Sequence, residues 1–110
     1  MWTHQEAVAL CFVVESFIVA SGIKCHVALT GGCLYGSGER KDCDILFYRV
    51  RQVDEINRDL LESKLKEIGL VVEKRFGWMS KATFHGKKVD IFYPETDSKI
   101  RPGGTDYGPK

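Results

Sequence analysis

Residues 29–48 constrain this chain more than any other stretch, because they combine a glycine doublet with two aspartates at the start of an apolar run. Gly31 and Gly32 follow a short apolar segment, and Asp42 and Asp44 lie one residue apart. Alternate residues of a β-strand point to the same face, so the two carboxylates should share a face. A glycine backbone can approach a phosphate closely. The combination indicates metal-dependent phosphate chemistry.

The size and charge of the chain favour one ordinary globular domain. It has 110 residues, of which 44% are hydrophobic and 28% are charged. A chain of this length builds one modest core, so we expect a single domain over residues 1–93 and a polar tail over 94–110. The net charge of +1 gives no global argument for nucleic acid or a membrane. Residues 74–89 are the exception, with five Lys or Arg and no acidic residue.

The cysteines and the first helix bear on the cellular compartment. The four cysteines form no CxxC pair, and their spacing to the histidines is not that of a zinc site. Buried thiols in a reducing cytosol are the expected state. The apolar run 7–20 is shorter than the roughly 20 residues of a membrane span, and no signal-peptide pattern precedes it. We therefore expect a cytoplasmic protein with no membrane partner.

Hydrophobic periodicity predicts the order helix, strand, strand, helix and three further strands. Thr3 to Glu6 has the form of a capping box and opens the first helix. The expected helices are 4–20 and 53–68; the expected strands are 25–29, 42–50, 70–76, 80–85 and 88–93, with a turn at 32–36. This order predicts an α+β fold with a mixed sheet of about five strands and two main helices on one side.

The glycines do not fit the two common nucleotide-binding motifs. Gly31 and Gly36 have the spacing of a P-loop, but Ser37 stands where that motif requires Lys. The dinucleotide fingerprint needs a third glycine after Gly36 and Gly38, and Lys41 occupies that position. Both motifs are therefore excluded.

A third aspartate completes a different pattern. Asp90 lies in the last predicted strand, and nine residues separate Gly32 from Asp42. In order and spacing, the doublet, the Asp-x-Asp pair and the later aspartate resemble the DNA polymerase beta-like nucleotidyltransferase superfamily. The resemblance covers about residues 23–93. It implies the palm fold of that superfamily and the minimal, stand-alone type found in prokaryotes and phages.

The resemblance also implies roles for the three aspartates. Asp42 and Asp44 would bind two Mg²⁺ ions, for which Mn²⁺ could substitute, and Asp90 would bind only the catalytic ion. Asp90 would also help the acceptor hydroxyl lose its proton. Chemistry supports this arrangement, because hard cations prefer carboxylate oxygens and two ions can hold the attacking and leaving oxygens together.

Other residues would hold the nucleotide. The resemblance implies that Gly31 and Gly32 offer backbone N–H groups to the triphosphate of an NTP. Ser37, Arg40 and Lys41 could supply further phosphate contacts. The acceptor could be RNA, a protein hydroxyl or a small molecule, and a second copy or a protein partner could complete the cleft.

Simpler interpretations stay open. Asp42 and Asp44 could be solvated acids at a sheet edge, Asp90 a surface residue, and the glycine doublet an ordinary turn. The segment 75–88 interleaves aromatic and basic residues, which would suit nucleic acid, but a plain hairpin with core aromatics is the favoured reading. The alternative function is a catalytically weak or inactive binding module, such as an inhibitor or antitoxin-like partner.

Overall fold

The computed structural model describes residues 1–31, 40–51 and 55–94. Helix α1 spans His4–Ala20 and helix α2 spans Arg58–Leu65, followed by a 3₁₀ turn over Lys66–Ile68. The strands are β1 (His26–Thr30), β2 (Asp42–Tyr48), β3 (Leu70–Phe76), β4 (Met79–Phe84) and β5 (Lys87–Phe92). The predicted order of elements is confirmed.

The strands form one mixed sheet in the order β1-β2-β5-β4-β3. β2 and β5 pair in parallel, and the other three pairs are antiparallel. β2 and β5 therefore lie inside the sheet, which excludes the interpretation of their aspartates as acids of an edge strand.

Both helices cover the same face of the sheet. Alternate residues of β2 are buried, namely Cys43, Ile45 and Phe47. They belong to one core cluster with residues from α1, such as Leu10 and Val14, and with Leu61 and Leu65 of α2. The α+β architecture with a single helical layer is thus as predicted, and the second face of the sheet is left for Asp42, Asp44 and their neighbours.

Local signals explain where the helices begin. The Thr3 side chain accepts from the Glu6 backbone and the Glu6 side chain accepts from the Thr3 backbone, which is the predicted capping box. The predicted start of the second helix at residue 53 is wrong, because the Asn57 side chain accepts from the backbone N–H of Leu60 and caps the helix there. Residues 52–54 lie outside the described part, as do the predicted turn at 32–36 and most of the predicted tail.

The N-terminal residues fasten β2 to the last hairpin. Trp2 and Arg40 exchange two backbone hydrogen bonds, of 2.6 and 2.8 Å, just before β2 begins. The Trp2 indole N–H donates to the carbonyl of Lys88 in β5 over 2.7 Å. The buried Trp2 ring thereby ties the start of β2 to the start of β5.

Two smaller findings concern the bulk predictions. Cys11, Cys25 and Cys43 are thiols that form no disulfide within the described ranges. In the same ranges, neither helix is long and apolar enough to cross a membrane.

Candidate functional site

Asp42 and Asp44 open β2 and lie on the face of the sheet that the helices leave uncovered. Both are half-buried, whereas Cys43 between them is fully buried in the core. The strand period of two residues produces this alternation. The sequence pattern therefore placed the two carboxylates on one face correctly.

Asp90 reaches the same face from β5. The parallel register pairs Asp44 with Asp90 and Asp42 with Lys88. Because neighbouring strands lie about 4.8 Å apart, the side chains of Asp44 and Asp90 are immediate neighbours. Two of the predicted site residues that are distant in sequence are thus brought together by the crossover from β2 to β5.

Gly31 lies against this pair at the end of β1. Its φ angle is +73°, and a Cβ atom built there would stand 2.2 Å from Oδ2 of Asp44. The preceding residue, Thr30, is the register partner of Asp44 on β1. Only glycine combines this left-handed backbone with this close approach to a carboxylate.

The carboxylates repel one another. Burial raises the pKa of Asp44 above its ordinary value, and the charges of Asp90 and Asp42 raise it further, while Lys81 acts in the opposite direction. A negative charge nearby disfavours the ionised form of a carboxyl group. A divalent cation would relieve this repulsion, so the charge and the oxygen donors of the site suit such an ion.

The described side chains supply candidate metal ligands in the form of a pair and one neighbour. Within residues 1–31, 40–51 and 55–94, no set of three or more His, Cys, Asp or Glu side chains is already arranged to hold a metal ion. Asp44 and Asp90 supply a neighbouring pair, and Asp42 lies at the next position on the same face. These are the residues that could hold a metal.

Lys81 is a site residue that the sequence reasoning missed. Its Nζ lies 3.2 Å from Oδ1 of Asp90, and the two side chains are 51% and 14% exposed. The feature that indicates the position of Lys81 is the turn of the β4–β5 hairpin, where His85 and Gly86 both have positive φ angles. A two-residue turn of this kind fixes the register, and counting back from Phe84 and Lys87 pairs Lys81 with Asp90.

Of the other predicted nucleotide-binding residues, the structure describes Arg40 and Lys41. Arg40 and Lys41 are exposed residues immediately before β2, and the backbone of Arg40 is held by Trp2. Gly32 and Ser37 lie outside the described residues. The structure thus brings Gly31, Asp42, Asp44 and Asp90 together. It places the basic residues Arg40 and Lys41 directly before the first residue of β2.

Comparison with known proteins gives a fold and no closer relative. No family model and no curated protein matches this sequence. Among solved structures, Cid1 in complex with the UTP analogue UMPNPP matches with a TM-score of 0.63 at 12% identity, covering 84% of this chain and 28% of its own.

Two further structures agree with this match. A cytoplasmic RNA terminal U-transferase matches with a TM-score of 0.65 at 12% identity, covering 84% of this chain and 29% of its own. The non-canonical poly(A) polymerase complex GLD-2–GLD-3 matches with a TM-score of 0.61 at 16% identity, covering 82% and 34%. This chain therefore has the fold of a nucleotidyltransferase domain and spans about a third or less of the length of those chains.

Proposed function

We propose that this protein is a Mg²⁺-dependent nucleotidyltransferase that moves a nucleoside monophosphate from an NTP to an acceptor hydroxyl. The observation that carries the proposal is the pairing of Asp44 with Asp90 on the uncovered face of a sheet with this fold. Neighbouring half-buried acids cost free energy unless they are paired or hold a cation. A metal-dependent reaction supplies a reason for their presence.

The reaction exchanges one phosphorus–oxygen bond for another. The acceptor oxygen forms a bond to the α-phosphorus, the bond from that phosphorus to the bridging oxygen breaks, and pyrophosphate leaves. The acceptor hydroxyl gives up one proton, which passes to solvent. The bound ions would supply Lewis-acid stabilisation of the charge that develops on the phosphate oxygens.

Individual residues have separate tasks in this proposal. Asp44 and Asp90 would hold the ions together with Asp42, and a carboxylate oxygen of Asp90 would accept a hydrogen bond from the acceptor hydroxyl as it loses its proton. The backbone N–H groups of Gly31 and Gly32 bind the triphosphate. Arg40 and Lys41, exposed before β2, contribute positive charge to it.

A direct experiment identifies both the reaction and the acceptor. The protein is incubated with each labelled NTP, with Mg²⁺ or Mn²⁺, and with a total RNA and protein extract. Pyrophosphate release with label in RNA or protein supports the proposal and identifies the acceptor class. Absence of release with every NTP contradicts it.

One observation favours a second candidate, a binding module with little or no catalysis. Lys81 already pairs with Asp90, so this carboxylate has a positively charged partner without a metal ion. A module of this kind would bind a protein partner without turnover. The GLD-2 structure is itself a complex with GLD-3, which is a precedent for partnership in this fold. A stable complex without NTP consumption would favour this candidate.

A further inference from the structure

A row of polar side chains crosses the whole uncovered face of the sheet. Successive register partners run from β1 to β3. The members of this carboxylate–lysine row are Thr30, Asp44, Asp90, Lys81 and Lys74. Because register partners on adjacent strands share a face, the row leads from the two acids to the two lysines without interruption.

An apolar row runs parallel to the first. Two residues further along each strand, the register partners are Ala28, Leu46, Phe92, Met79 and Phe76. Two residues of a strand span roughly 7 Å, so this apolar row keeps a constant short distance from the carboxylate–lysine row. The face therefore carries the carboxylate–lysine row and the apolar row side by side, with the positive charge of the first row at its β4 and β3 end.

Aromatic rings lie at the end of the apolar row near the lysines. The Trp78 ring packs on Phe92 with 5.4 Å between ring centroids. Trp78 and Phe76 are 44% and 46% exposed, although large aromatic side chains are usually mostly buried. The Lys74 ammonium lies 5.5 Å from the centroid of Phe76. Aromatic surface and positive charge are thus both accessible at this end.

We infer that this face binds the 3′ end of a single-stranded nucleic acid, with bases on the apolar row and phosphates along Lys81 and Lys74. The inference rests on the proposed function, since it makes the terminal hydroxyl beside Asp90 the acceptor. Any of the nucleobases can stack on an aromatic ring, and lysines neutralise the phosphates of the nucleic-acid backbone. A paired duplex offers no free base faces to this surface. A small acceptor would leave most of both rows uncovered.

Binding of a fluorescein-labelled single-stranded RNA octamer, followed by anisotropy in EDTA, tests the surface without turnover. Trp78→Ala should weaken binding at least about fivefold, and Trp78→Phe should restore most of it. Lys74→Ala should lower the slope of log K against log salt by about 0.7. Phe12→Ala on α1, where Phe12 is 67% exposed, and Lys66→Ala are matched controls that should bind as wild type does.

Several results would overturn the inference. One is binding of a blunt duplex as tight as that of the single-stranded octamer. Another is an equal loss of octamer affinity in Phe12→Ala and Trp78→Ala, and a third is no octamer binding at low salt. A Trp78-dependent dimer in sedimentation, with oligonucleotide binding unaffected by Trp78→Ala, would identify a self-association surface instead.

The same samples separate this inference from the proposed function. Binding by wild type and by Asp44→Asn, without pyrophosphate release when NTP and Mg²⁺ are added, supports the surface and contradicts the enzyme. Pyrophosphate release that the octamer does not stimulate contradicts the nucleic-acid acceptor and leaves the enzyme standing.

Discussion

Asp44 and Asp90 are register partners on adjacent parallel strands, with Gly31 pressed against the first and Lys81 bonded to the second. The two acids meet because β5 lies between β2 and β4 in the sheet, although α2, β3 and β4 separate β2 from β5 in sequence. Their neighbours differ in kind. Asp44 is crowded by backbone and by like charge, whereas Asp90 has a cation at hydrogen-bonding distance.

Replacing Asp44 by Asn should stabilise the protein in the absence of metal. Burial and the charges of Asp90 and Asp42 raise the pKa of Asp44, so its ionised form costs free energy in the folded state. The site is partly exposed and screened, so the gain should stay below about 1 kcal/mol, a rise in Tm of a few degrees.

The stability gained in Asp44→Asn should depend on pH, and the direction of that dependence is a separate check. A folded-state pKa above the unfolded value means that the folded protein binds the proton more tightly, so stability falls as pH rises through that pKa. The advantage of Asp44→Asn should thus vanish below the ordinary Asp value of 3.8. Thermal melts across pH measure the difference in Tm between Asp44→Asn and wild type, with Asp59→Asn as the control. If Asp44→Asn is less stable than wild type at neutral pH, the predicted cost of ionised Asp44 is contradicted.

Replacing Gly31 by Ala should weaken metal binding at the aspartates in addition to lowering the stability of the protein. Gly31 and Gly22 have nearly the same φ angles, +73° and +76°, so both changes to Ala cost about 1–2 kcal/mol of backbone strain. Only at Gly31 does the new Cβ meet a carboxylate, that of Asp44, since nothing lies within 4 Å at Gly22.

The matched pair separates strain from chemistry. Gly22→Ala should keep the rise in Tm that Mg²⁺ or Mn²⁺ gives to wild type, and Gly31→Ala should lose it. Equal metal responses in the two variants, measured by thermal melts with and without the ion, would show that the close approach of Gly31 to Asp44 has no functional role.

Replacing Lys81 by Ala should tighten metal binding. The ammonium lies 3.2 Å from Oδ1 of Asp90 and competes with a cation for that carboxylate. Because the lysine is half-exposed, the gain should be about two- to fivefold in affinity for Mn²⁺. Titration calorimetry measures it, with Lys66→Ala as the control; weaker binding by Lys81→Ala would mean that the lysine orders Asp90 for the ion.

Replacing Glu62 by Gln should destabilise the fold from the helical side. Glu62 is only 5% exposed and accepts hydrogen bonds from Tyr93, Ser80 and Arg75 over 2.7, 2.5 and 2.8 Å. Neutralising it leaves the partly buried Arg58 without its charge partner, 3.2 Å away. The loss should be about 2–4 kcal/mol, against less than about 0.5 kcal/mol for the exposed Glu67→Gln.

The same glutamate should contribute to acid sensitivity. Burial alone would raise the pKa of Glu62, but its hydrogen bonds from Ser80, Tyr93, Arg75 and Arg58 outweigh burial and lower it. Its contribution is therefore present above the ordinary value of 4.5 and is lost as pH falls through the lowered pKa. Denaturant unfolding between pH 3 and 7 should show a shallower acid decline for Glu62→Gln, and parallel curves would contradict this.

Local patterns predicted most of the fold. The capping box at Thr3, the alternation in β2 and the glycine after the second helix each depend on residues within a few positions, so their elements were placed closely. The start of α2 was misplaced because apolar spacing continued upstream of Asn57, whose side-chain cap outweighs that spacing.

The site was only partly predictable. The faces of Asp42 and Asp44 follow from the strand period, and a motif resemblance suggested Asp90. The pairing of Lys81 with Asp90 required the register of a hairpin, and the burial of Glu62 required partners from β3, from β4 and from Tyr93, the residue after β5. Such contacts depend on tertiary packing, which hydrophobic period does not encode.

Metal-dependent pyrophosphate release from NTP decides whether Asp44 and Asp90 belong to a catalytic site. Release by wild type in the presence of Mg²⁺ should fall at least about 100-fold in Asp44→Asn and in Asp90→Asn, because each removes a carboxylate that would hold the ions at the reacting phosphate. Asp59→Asn, an exposed acid on the helical side, should keep wild-type release. Release that persists in both site variants would show that Asp44 and Asp90 are not catalytic. Absence of release from folded wild type, with every NTP and acceptor extract, would contradict the proposed transferase activity.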